Sequence, residues 1–303
     1  MGRVIEGKWD TRDKLPTNEQ GAFVRAAAEF RGSIPTDEIE AGRYHLYVSY
    51  ACPWAHRTLI GRALLGLEDA VSISVSDPIM GDDGWLFDGE PLWKLYVRAR
   101  PDYTGRASVP VLWDRERETI VNNESREVLR MFATDFQPLW KKERDLSPEG
   151  MRDKIDHIID ELFMPVNNGV YRCGFARTQK AYEEAAYELF AALDHWESIL
   201  AGQRYLCGDR LTEADICLFT TMFRFDLVYH THFKCNLRRL VDYPNLWGFV
   251  RDVYGTEGVA KTCNIDHIKT HYFKSHGSIN PSKLIPIGPA IDFTEPHDRA
   301  TKF

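Results

Sequence analysis

The pattern of apolar and polar positions divides the chain near residue 148 into two parts with different periodicity. Before that point, YHLYVSY (44–50) alternates and VSISVSD (71–77) is rich in apolar alternate positions, which is typical of strands. HRTLIGRALLG between them has helical spacing, with Pro53 in a first turn that tolerates proline and Gly66 at the end. A strand, helix, strand unit of this kind predicts two parallel strands.

A second group of strands follows, after turn residues and a short helix predicted around PLWKLYVRA. The runs VPVLWD (109–114) and ETIVNN (118–123) are separated by a short charged turn, and this spacing predicts a hairpin. A further helix is predicted to begin at Glu124 and Ser125. The first half of the chain is therefore predicted to be βαβ followed by ββα.

From about residue 148 onward the apolar spacing is helical throughout. MRDKIDHIIDELFM predicts one helix, and QKAYEEAAYELFAALDHWESIL places its apolar side chains on a single stripe. LTEADICLFTTMF begins with Thr212 and has Asp215 three residues later, which is a capping-box arrangement before an apolar run. The last forty residues contain four prolines and no long period, and they predict a tail.

The N-terminal residues are polar and predict a lead-in arm with one short helical candidate, AFVRAAAEF (22–30). Four segments are therefore predicted along the chain. They are an N-terminal arm at 1–41, a mixed sheet and helix domain at 42–140, an all-helical domain at 148–263 and a C-terminal extension at 264–303.

Composition narrows the classes of function. The chain has 303 residues, of which 44% are hydrophobic, and its net charge of −7 gives no electrostatic basis for binding nucleic acid or an anionic membrane surface. The first residues lack the apolar stretch of a signal peptide, and no run approaches the ~18 apolar residues of a membrane span. We therefore expect a cytoplasmic protein.

The six cysteines lie far apart and form no CxxC pair, which argues against a disulfide framework, a zinc ribbon and a dithiol redox motif. His267 and His271 are four residues apart on a predicted helix, but no third metal ligand accompanies them. A packing or solvated pair is the favoured interpretation, and no metal is expected.

Cys52 has a different setting, because it lies directly before Pro53 at the junction of the first strand and the first helix. Unpaired backbone N–H groups and the positive end of the helix dipole favour a thiolate there, and they lower a cysteine pKa from ~8.5 into a range of roughly 3.5 to 7.5. A small buried residue is the alternative for a lone cysteine. The strand, Cys-Pro, helix context predicts a nucleophile.

Ala55 stands where a second cysteine would complete a redox pair. A mixed disulfide formed at Cys52 therefore needs an external thiol for its release. Glutathione is the abundant cytosolic candidate.

Two later features fit a glutathione site. A cis peptide bond between Val109 and Pro110 would leave the Val109 backbone exposed for pairing with an extended peptide, although an ordinary trans proline at an edge strand is the base-rate alternative. At the next helix start, the Ser125 hydroxyl and backbone N–H groups can hold a carboxylate while Glu124 pairs with an ammonium group. The alternative at that position is a simple helix cap.

These residues together resemble the glutathione transferase superfamily. The motif CPWAHR, with GVYRCGFA (169–176), LTEADI (211–216) and DHIKTHYF (266–273), resembles the Xi class, the glutathionyl-hydroquinone reductases, from about residue 20 to 290. The resemblance implies a thioredoxin-like domain, an all-α glutathione-transferase domain with a C-terminal extension, and a homodimer.

The resemblance also implies roles for individual residues. Cys52 is the implied nucleophile, Tyr171 the proton donor or acceptor, and Tyr229 and Tyr272 the tyrosines that lower the pKa of the cysteine. The implied glutathione-binding residues are Trp85, Arg106, Ala107, Ser108, Val109, Pro110, Glu124 and Ser125.

The implied reaction is the glutathione-dependent reduction of glutathionyl-hydroquinones to hydroquinones. Three alternatives remain open. An omega-like thiol transferase or dehydroascorbate reductase shares the Cys-Pro site, whereas a conjugating transferase usually activates glutathione with tyrosine or serine. A non-catalytic scaffold that keeps only the fold is the third, although it predicts loss of Cys52, Glu124 or Ser125, and all three are present.

Overall fold

The structure is a computed structural model that describes residues 2–12 and 16–303. Short strands lie in its N-terminal half. In chain order they are β1 (Arg3–Ile5), β2 (Lys8–Asp10), β3 (Tyr44–Val48), β4 (Ser72–Val75), β5 (Leu86–Phe87), β6 (Glu90–Pro91), β7 (Val111–Asp114) and β8 (Thr119–Asn122).

Helices make up most of the remainder. In chain order the α-helices are α1 (Pro53–Leu64), α2 (Leu92–Ala99), α3 (Ser125–Ala133), α4 (Arg152–Leu162), α5 (Gly169–Phe175), α6 (Gln179–Gly202), α7 (Glu213–Met222), α8 (His230–His232), α9 (Pro244–Gly255), α10 (Ile265–Ser275) and α11 (Arg299–Lys302). Single π-helical turns at Phe163–Asn167 and Phe225–Tyr229 precede α5 and α8.

The described residues form two compact units. The first contains the described parts of Met1–Leu15 together with Arg25–Arg144 and Asp266–Ser275. The second contains Pro16–Val24, Asp145–Ile265 and His276–Phe303. The N-terminal arm and the C-terminal extension predicted from the sequence are therefore each divided between the two units, and the predicted domain boundaries stay a prediction.

A four-stranded sheet is the centre of the first unit, in the order β4-β3-β7-β8. Strands β3 and β4 are parallel, and β7 is antiparallel to both β3 and β8, so the predicted βαβ and ββα pattern is confirmed. Helices α1 and α3 pack together, and a Cβ atom at Gly61 would lie 2.5 Å from Leu129 Cδ1. Glycine at this position therefore permits the close approach of the two helices whose N-termini carry Cys52 and Glu124.

The prediction of a helix at 22–30 is wrong, because this segment is irregular, with one isolated β-bridge at Phe23. Its backbone groups bond to other parts of the chain rather than along a helix. In the first unit the Phe30 carbonyl accepts from Asn123 N, and in the second unit Val24 N donates to the Pro16 carbonyl, both at 2.9 Å. The predicted lead-in arm also contains the β1–β2 hairpin, which the sequence pattern did not indicate. Residues 1 and 13–15 of the arm lie outside the described residues.

The second unit is built around α7, whose ten residues are all buried. The long helix α6 contributes the apolar stripe that the sequence predicts, including Leu189, Leu193 and Trp196. The predicted capping box at the start of α7 is confirmed, since Thr212 and Asp215 exchange both bonds. Among the described residues, none of the helices combines the length and apolar character needed to cross a membrane.

Candidate active site

Cys52 is the N-cap residue of α1 and has an extended backbone conformation. Its carbonyl accepts from His56 N at 3.0 Å, which closes the first helical turn, and its side chain makes no capping bond to that turn. The side chain is partly exposed. The sulfur therefore lies at the positive end of α1, in the position that the sequence predicts for a nucleophile.

Three other cysteines lie in surroundings that favour the neutral thiol. Burial raises the pKa of the Cys207 thiol and that of the Cys235 thiol, and it raises the pKa of Cys263 to about 12. These thiols stay protonated near neutral pH. They are poor nucleophiles in that state, because only a thiolate attacks sulfur efficiently. All six cysteines lie among the described residues, and none is in a disulfide.

The structure brings the segment that contains Val109 to Cys52. The peptide bond between Val109 and Pro110 is cis, so the alternative of a trans proline is wrong. The Cys52 thiol donates to the Val109 carbonyl at 3.6 Å across 57 positions of sequence. The three residues that precede Val109 in the sequence, Arg106, Ala107 and Ser108, are partly exposed. The predicted nucleophile and part of the predicted glutathione-binding segment therefore lie next to each other in the first unit.

Glu124 and Ser125 lie at the start of α3. Glu124 is the N-cap residue, and its Oε1 accepts from Arg126 N at 3.2 Å and from the Ser125 hydroxyl at 3.3 Å. The Ser125 hydroxyl also accepts from Arg57 Nη1 at 3.4 Å. The pair is thus a helix cap, with a cation next to it. A carboxylate that binds at this helix start would meet backbone N–H groups and the Arg57 guanidinium.

Helix α10 brings Tyr272 into the unit that contains Trp85. The Trp85 ring stacks on His271 at 4.7 Å between centroids, and His271 Nδ1 lies 3.1 Å from the Pro78 carbonyl. Tyr272 is the next residue and is buried. His267 packs edge-on against Tyr50, so both histidines of the predicted pair contact aromatic rings. No cluster of three or more metal-ligating side chains occurs within residues 2–12 and 16–303.

Tyr171 and Tyr229 lie in the second unit, with ring centroids 6.0 Å apart. The Tyr171 ring also contacts Phe233, which stacks on Tyr229 at 5.5 Å. A Cβ atom at Gly174 would lie 2.1 Å from Phe233 Cδ1, so glycine at this position of GVYRCGFA lets α5 approach the phenylalanine. The structure therefore joins these two predicted tyrosines in one aromatic cluster.

Several residues that hold the site were not identified from the sequence. Arg57 is buried and lies over the Trp54 ring at 4.4 Å. The Tyr96 hydroxyl donates to the Ser108 carbonyl in the predicted glutathione segment, and Asn123 Nδ2 donates to the Tyr96 hydroxyl. Arg57 could have been identified from the sequence, because it is a charged residue on a predicted helix of mainly apolar residues. Tyr96 and Asn123 had no such signal, since their partners are distant in sequence.

Comparisons with known proteins agree with this geometry. Residues 51–135 match the glutathione S-transferase N-terminal domain, and residues 179–252 match the glutathione S-transferase C-terminal domain. The Xi class GST from Natrialba magadii is 50% identical, superposes with a TM-score of 0.93, and the match covers 99% of this chain and 98% of that one.

The chain belongs to the Xi class of the glutathione transferase superfamily. Glutathionyl-hydroquinone reductase YqjG of Escherichia coli (strain K12) is 47% identical over the whole of both chains. The glutathione-bound structure of YqjG superposes on this chain with a TM-score of 0.88. Glutathionyl-hydroquinone reductase PcpF of Sphingobium chlorophenolicum is 46% identical, and the match covers 96% of this chain and 97% of PcpF.

Membership of the Xi class confirms the family resemblance and the fold predicted from the sequence. The first unit contains the thioredoxin-like domain of a glutathione transferase, and the second contains the all-helical domain.

Proposed function

We propose that this Xi-class chain is an enzyme that reduces glutathionyl-hydroquinones to hydroquinones, with glutathione as co-substrate. The observation that carries the proposal is the placement of Cys52 at the start of α1, beside the Val109 carbonyl. The names of YqjG and PcpF, both glutathionyl-hydroquinone reductases, support the same activity here.

Glutathione binding is assigned to the first unit. The peptide backbone of glutathione would pair with the segment Arg106, Ala107, Ser108, Val109 and Pro110. The γ-glutamyl group of glutathione would bind at Glu124 and Ser125. Trp85 would line the site from the residues before α2. The glutathione-bound structure of YqjG supports glutathione as the ligand, and we propose the individual contacts with the residues named here.

In the first step, the Cys52 thiolate attacks the sulfur of the glutathionyl-hydroquinone. An S–S bond forms, the bond from sulfur to the ring carbon breaks, and its electron pair passes to the ring, which takes a proton from Tyr171. Tyr229 and Tyr272 are assigned to stabilising the thiolate. The products are a free hydroquinone and a Cys52–glutathione disulfide.

In the second step, a thiolate of another glutathione attacks the mixed disulfide. Glutathione disulfide leaves and the Cys52 thiolate is restored, so two electrons from two glutathione sulfurs account for the reduction. Ala55 prevents resolution within the CPWA motif. Each turnover therefore consumes one external glutathione.

Replacing Cys52 tests the proposal directly. We expect Cys52→Ser to lower the turnover of a glutathionyl-hydroquinone by about a thousandfold or more, because the covalent route is lost. Mass spectrometry after one equivalent of substrate should find one added glutathione on the wild-type chain and none on the variant. Cys263→Ser is the matched control, since Cys263 is also partly exposed but its pKa is raised by burial. Retained turnover in Cys52→Ser would refute the mechanism.

An omega-like thiol transferase or dehydroascorbate reductase is the second candidate. A relative from Schizosaccharomyces pombe, 43% identical over 90% of this chain, is named glutathione S-transferase omega-like 2. Parallel assays with a glutathionyl-hydroquinone, dehydroascorbate and a small mixed disulfide separate the two activities. A preference for the last two substrates would favour this candidate.

Assembly and location complete the proposal. We expect a homodimer, as the family resemblance implies, and a cytoplasmic protein. Light scattering coupled to size-exclusion chromatography measures the mass of the assembly, and a monomer would overturn the first expectation.

A further inference from the structure

The hydroxyl group of Tyr96 occupies a junction in the first unit. Tyr96 lies on α2 and is fully buried. Its hydroxyl donates to the Ser108 carbonyl at 2.7 Å and accepts from Ser108 N at 3.2 Å and from Asn123 Nδ2 at 3.0 Å. A phenolic oxygen has one proton to donate and two lone pairs, so these three bonds use its full capacity.

Asn123 is fixed in turn from its other side. Its Oδ1 accepts from Phe30 N at 3.1 Å, and its backbone N–H donates to the Phe30 carbonyl at 2.9 Å. These bonds require the amide group to point its Nδ2 toward Tyr96. The Phe30 ring also packs edge-on against Tyr96, with centroids 5.6 Å apart.

Both partners of Tyr96 adjoin the residues to which glutathione binding is assigned. Ser108 directly precedes Val109, whose carbonyl accepts from Cys52. Asn123 directly precedes Glu124, and the neighbouring Asn122 accepts from Glu124 N at 2.7 Å. One hydroxyl therefore connects the segment assigned to the peptide backbone of glutathione with the helix start assigned to its γ-glutamyl group.

We propose that Tyr96 is a positioning residue for glutathione, which sets the separation between the Ser108–Val109 segment and the Glu124–Ser125 helix start. The proposal rests on the function proposed above. Tyr96 acts through Ser108 and Asn123 and does not itself contact the ligand, because its side chain is buried. An extended ligand with recognition groups at both ends depends on that separation, whereas the thiol chemistry at Cys52 does not.

Protonation keeps this junction intact near neutral pH. Burial raises the pKa of Tyr96 above its ordinary value, so the hydroxyl keeps the proton that it donates to Ser108. A phenylalanine keeps the ring and its packing on Phe30 but loses all three bonds.

The experiment measures the Kd of reduced glutathione by isothermal titration calorimetry, together with steady-state kinetics. We expect Tyr96→Phe to weaken glutathione binding about tenfold, which corresponds to about 1.4 kcal/mol. We expect kcat at saturating glutathione to stay within about twofold of wild type, since ground-state binding is the property that changes.

Tyr44→Phe is the matched control. Tyr44 is also fully buried in the first unit, and its hydroxyl donates to the Glu38 carbonyl at 2.9 Å, away from the residues assigned to glutathione. We expect this variant to keep the wild-type Kd within about twofold even where its thermal stability falls. Equal losses of affinity in the two variants would show a general structural effect and overturn the proposal.

Asn123→Ala provides a second variant and a double-mutant cycle. We expect it to weaken glutathione binding in the same direction, and the double variant with Tyr96→Phe to lose less than the sum of the single effects. Unchanged affinity in both single variants would overturn the proposal. A wild-type chain that binds glutathione but does not reduce a glutathionyl-hydroquinone would instead refute the proposed reaction, and the affinity comparison would still decide the role of Tyr96.

Discussion

At the scale of single residues, the position of a side chain on its element decides its chemistry. Cys52 lies at a helix N-terminus, whereas Cys207, Cys235 and Cys263 lie where burial raises the thiol pKa. Side chains of one chemical type therefore differ in reactivity. Among the tyrosines, the partly exposed ring of Tyr171 belongs to an aromatic cluster with Tyr229.

Tyr171→Phe tests the assigned proton transfer. The variant keeps the ring that packs against Phe233 but loses the hydroxyl proton. We expect the turnover of a glutathionyl-hydroquinone to fall by about a hundredfold or more, which is the lower range for loss of a general acid. The formation of the Cys52–glutathione disulfide from glutathione disulfide should remain, because this reaction does not protonate a carbon atom.

Tyr187→Phe is the control for this substitution. Tyr187 lies on α6, is 67% exposed, and has no assigned role. Its replacement should leave turnover within about twofold of wild type. A Tyr171→Phe variant with wild-type turnover would contradict the assignment.

At the scale of elements, the start of α7 combines a cap with a buried charge. Asp215 accepts from Thr212 N at 2.7 Å and from Leu206 N at 2.8 Å, and it is fully buried. Burial raises the pKa of Asp215 to about 6, although the hydrogen bonds that it accepts act in the opposite direction. The hydrogen bonds of the Asp215 carboxylate thus anchor the start of the helix, while the loss of its hydration opposes the charged form.

The stability of the chain should depend on this carboxyl group. Between about pH 4 and 6, the folded chain binds a proton at Asp215 that the unfolded chain has lost. The contribution of Asp215 to the free energy of unfolding therefore falls as the pH rises through this window, by about 1.4 kcal/mol per pH unit, and is constant above it. The difference in unfolding free energy between wild type and Asp215→Asn, measured by urea denaturation, should follow this slope.

Asp209→Asn is the matched control for that series. Asp209 is an exposed carboxylate just before the same helix and outside the capping box. Its replacement removes the same charge without changing the cap. A difference between wild type and Asp215→Asn that does not change from pH 4 to 6 would contradict the pKa on which the prediction rests.

At the scale of the whole molecule, distant parts of the chain meet within each unit. In the second unit, the buried Arg299 near the C-terminus donates to the carbonyls of Leu200 at 3.1 Å and of Gln203 at 2.6 Å, both near the end of α6. It also donates to the Asn245 carbonyl at 3.4 Å, at the start of α9. One guanidinium group therefore connects three segments that are far apart in sequence.

Arg299→Met should destabilise the second unit. The substitution keeps much of the apolar volume but leaves buried carbonyl groups without their donor, which we expect to lower the free energy of unfolding by about 3 kcal/mol. Chemical denaturation monitored by tryptophan fluorescence measures the change. Lys302→Met, an exposed cation on the same short helix, is the control, and an equal effect of the two substitutions would contradict the role of Arg299.

The sequence by itself determined the local elements and the position of Cys52 at a helix start. Strand alternation, the Cys-Pro helix start and the capping box at Thr212 depend on residues within one or two turns of each other, so they can be predicted from neighbours in the chain. The prediction of a helix at 22–30 failed because the backbone of this segment bonds to residues outside it, Pro16 and the distant Asn123, which local helix propensity does not take into account.

Only the tertiary structure decided which of these features meet. The contact between Cys52 and Val109 spans 57 positions, and the one between Tyr96 and Asn123 spans 27, so no periodicity in the sequence indicates either. The same holds for α10, which brings Tyr272 into the unit of Cys52 although the sequence places it in a C-terminal extension. Hydrogen bonds and packing between distant segments form only when the chain is compact, so local sequence patterns do not contain the information that brings Val109 to Cys52.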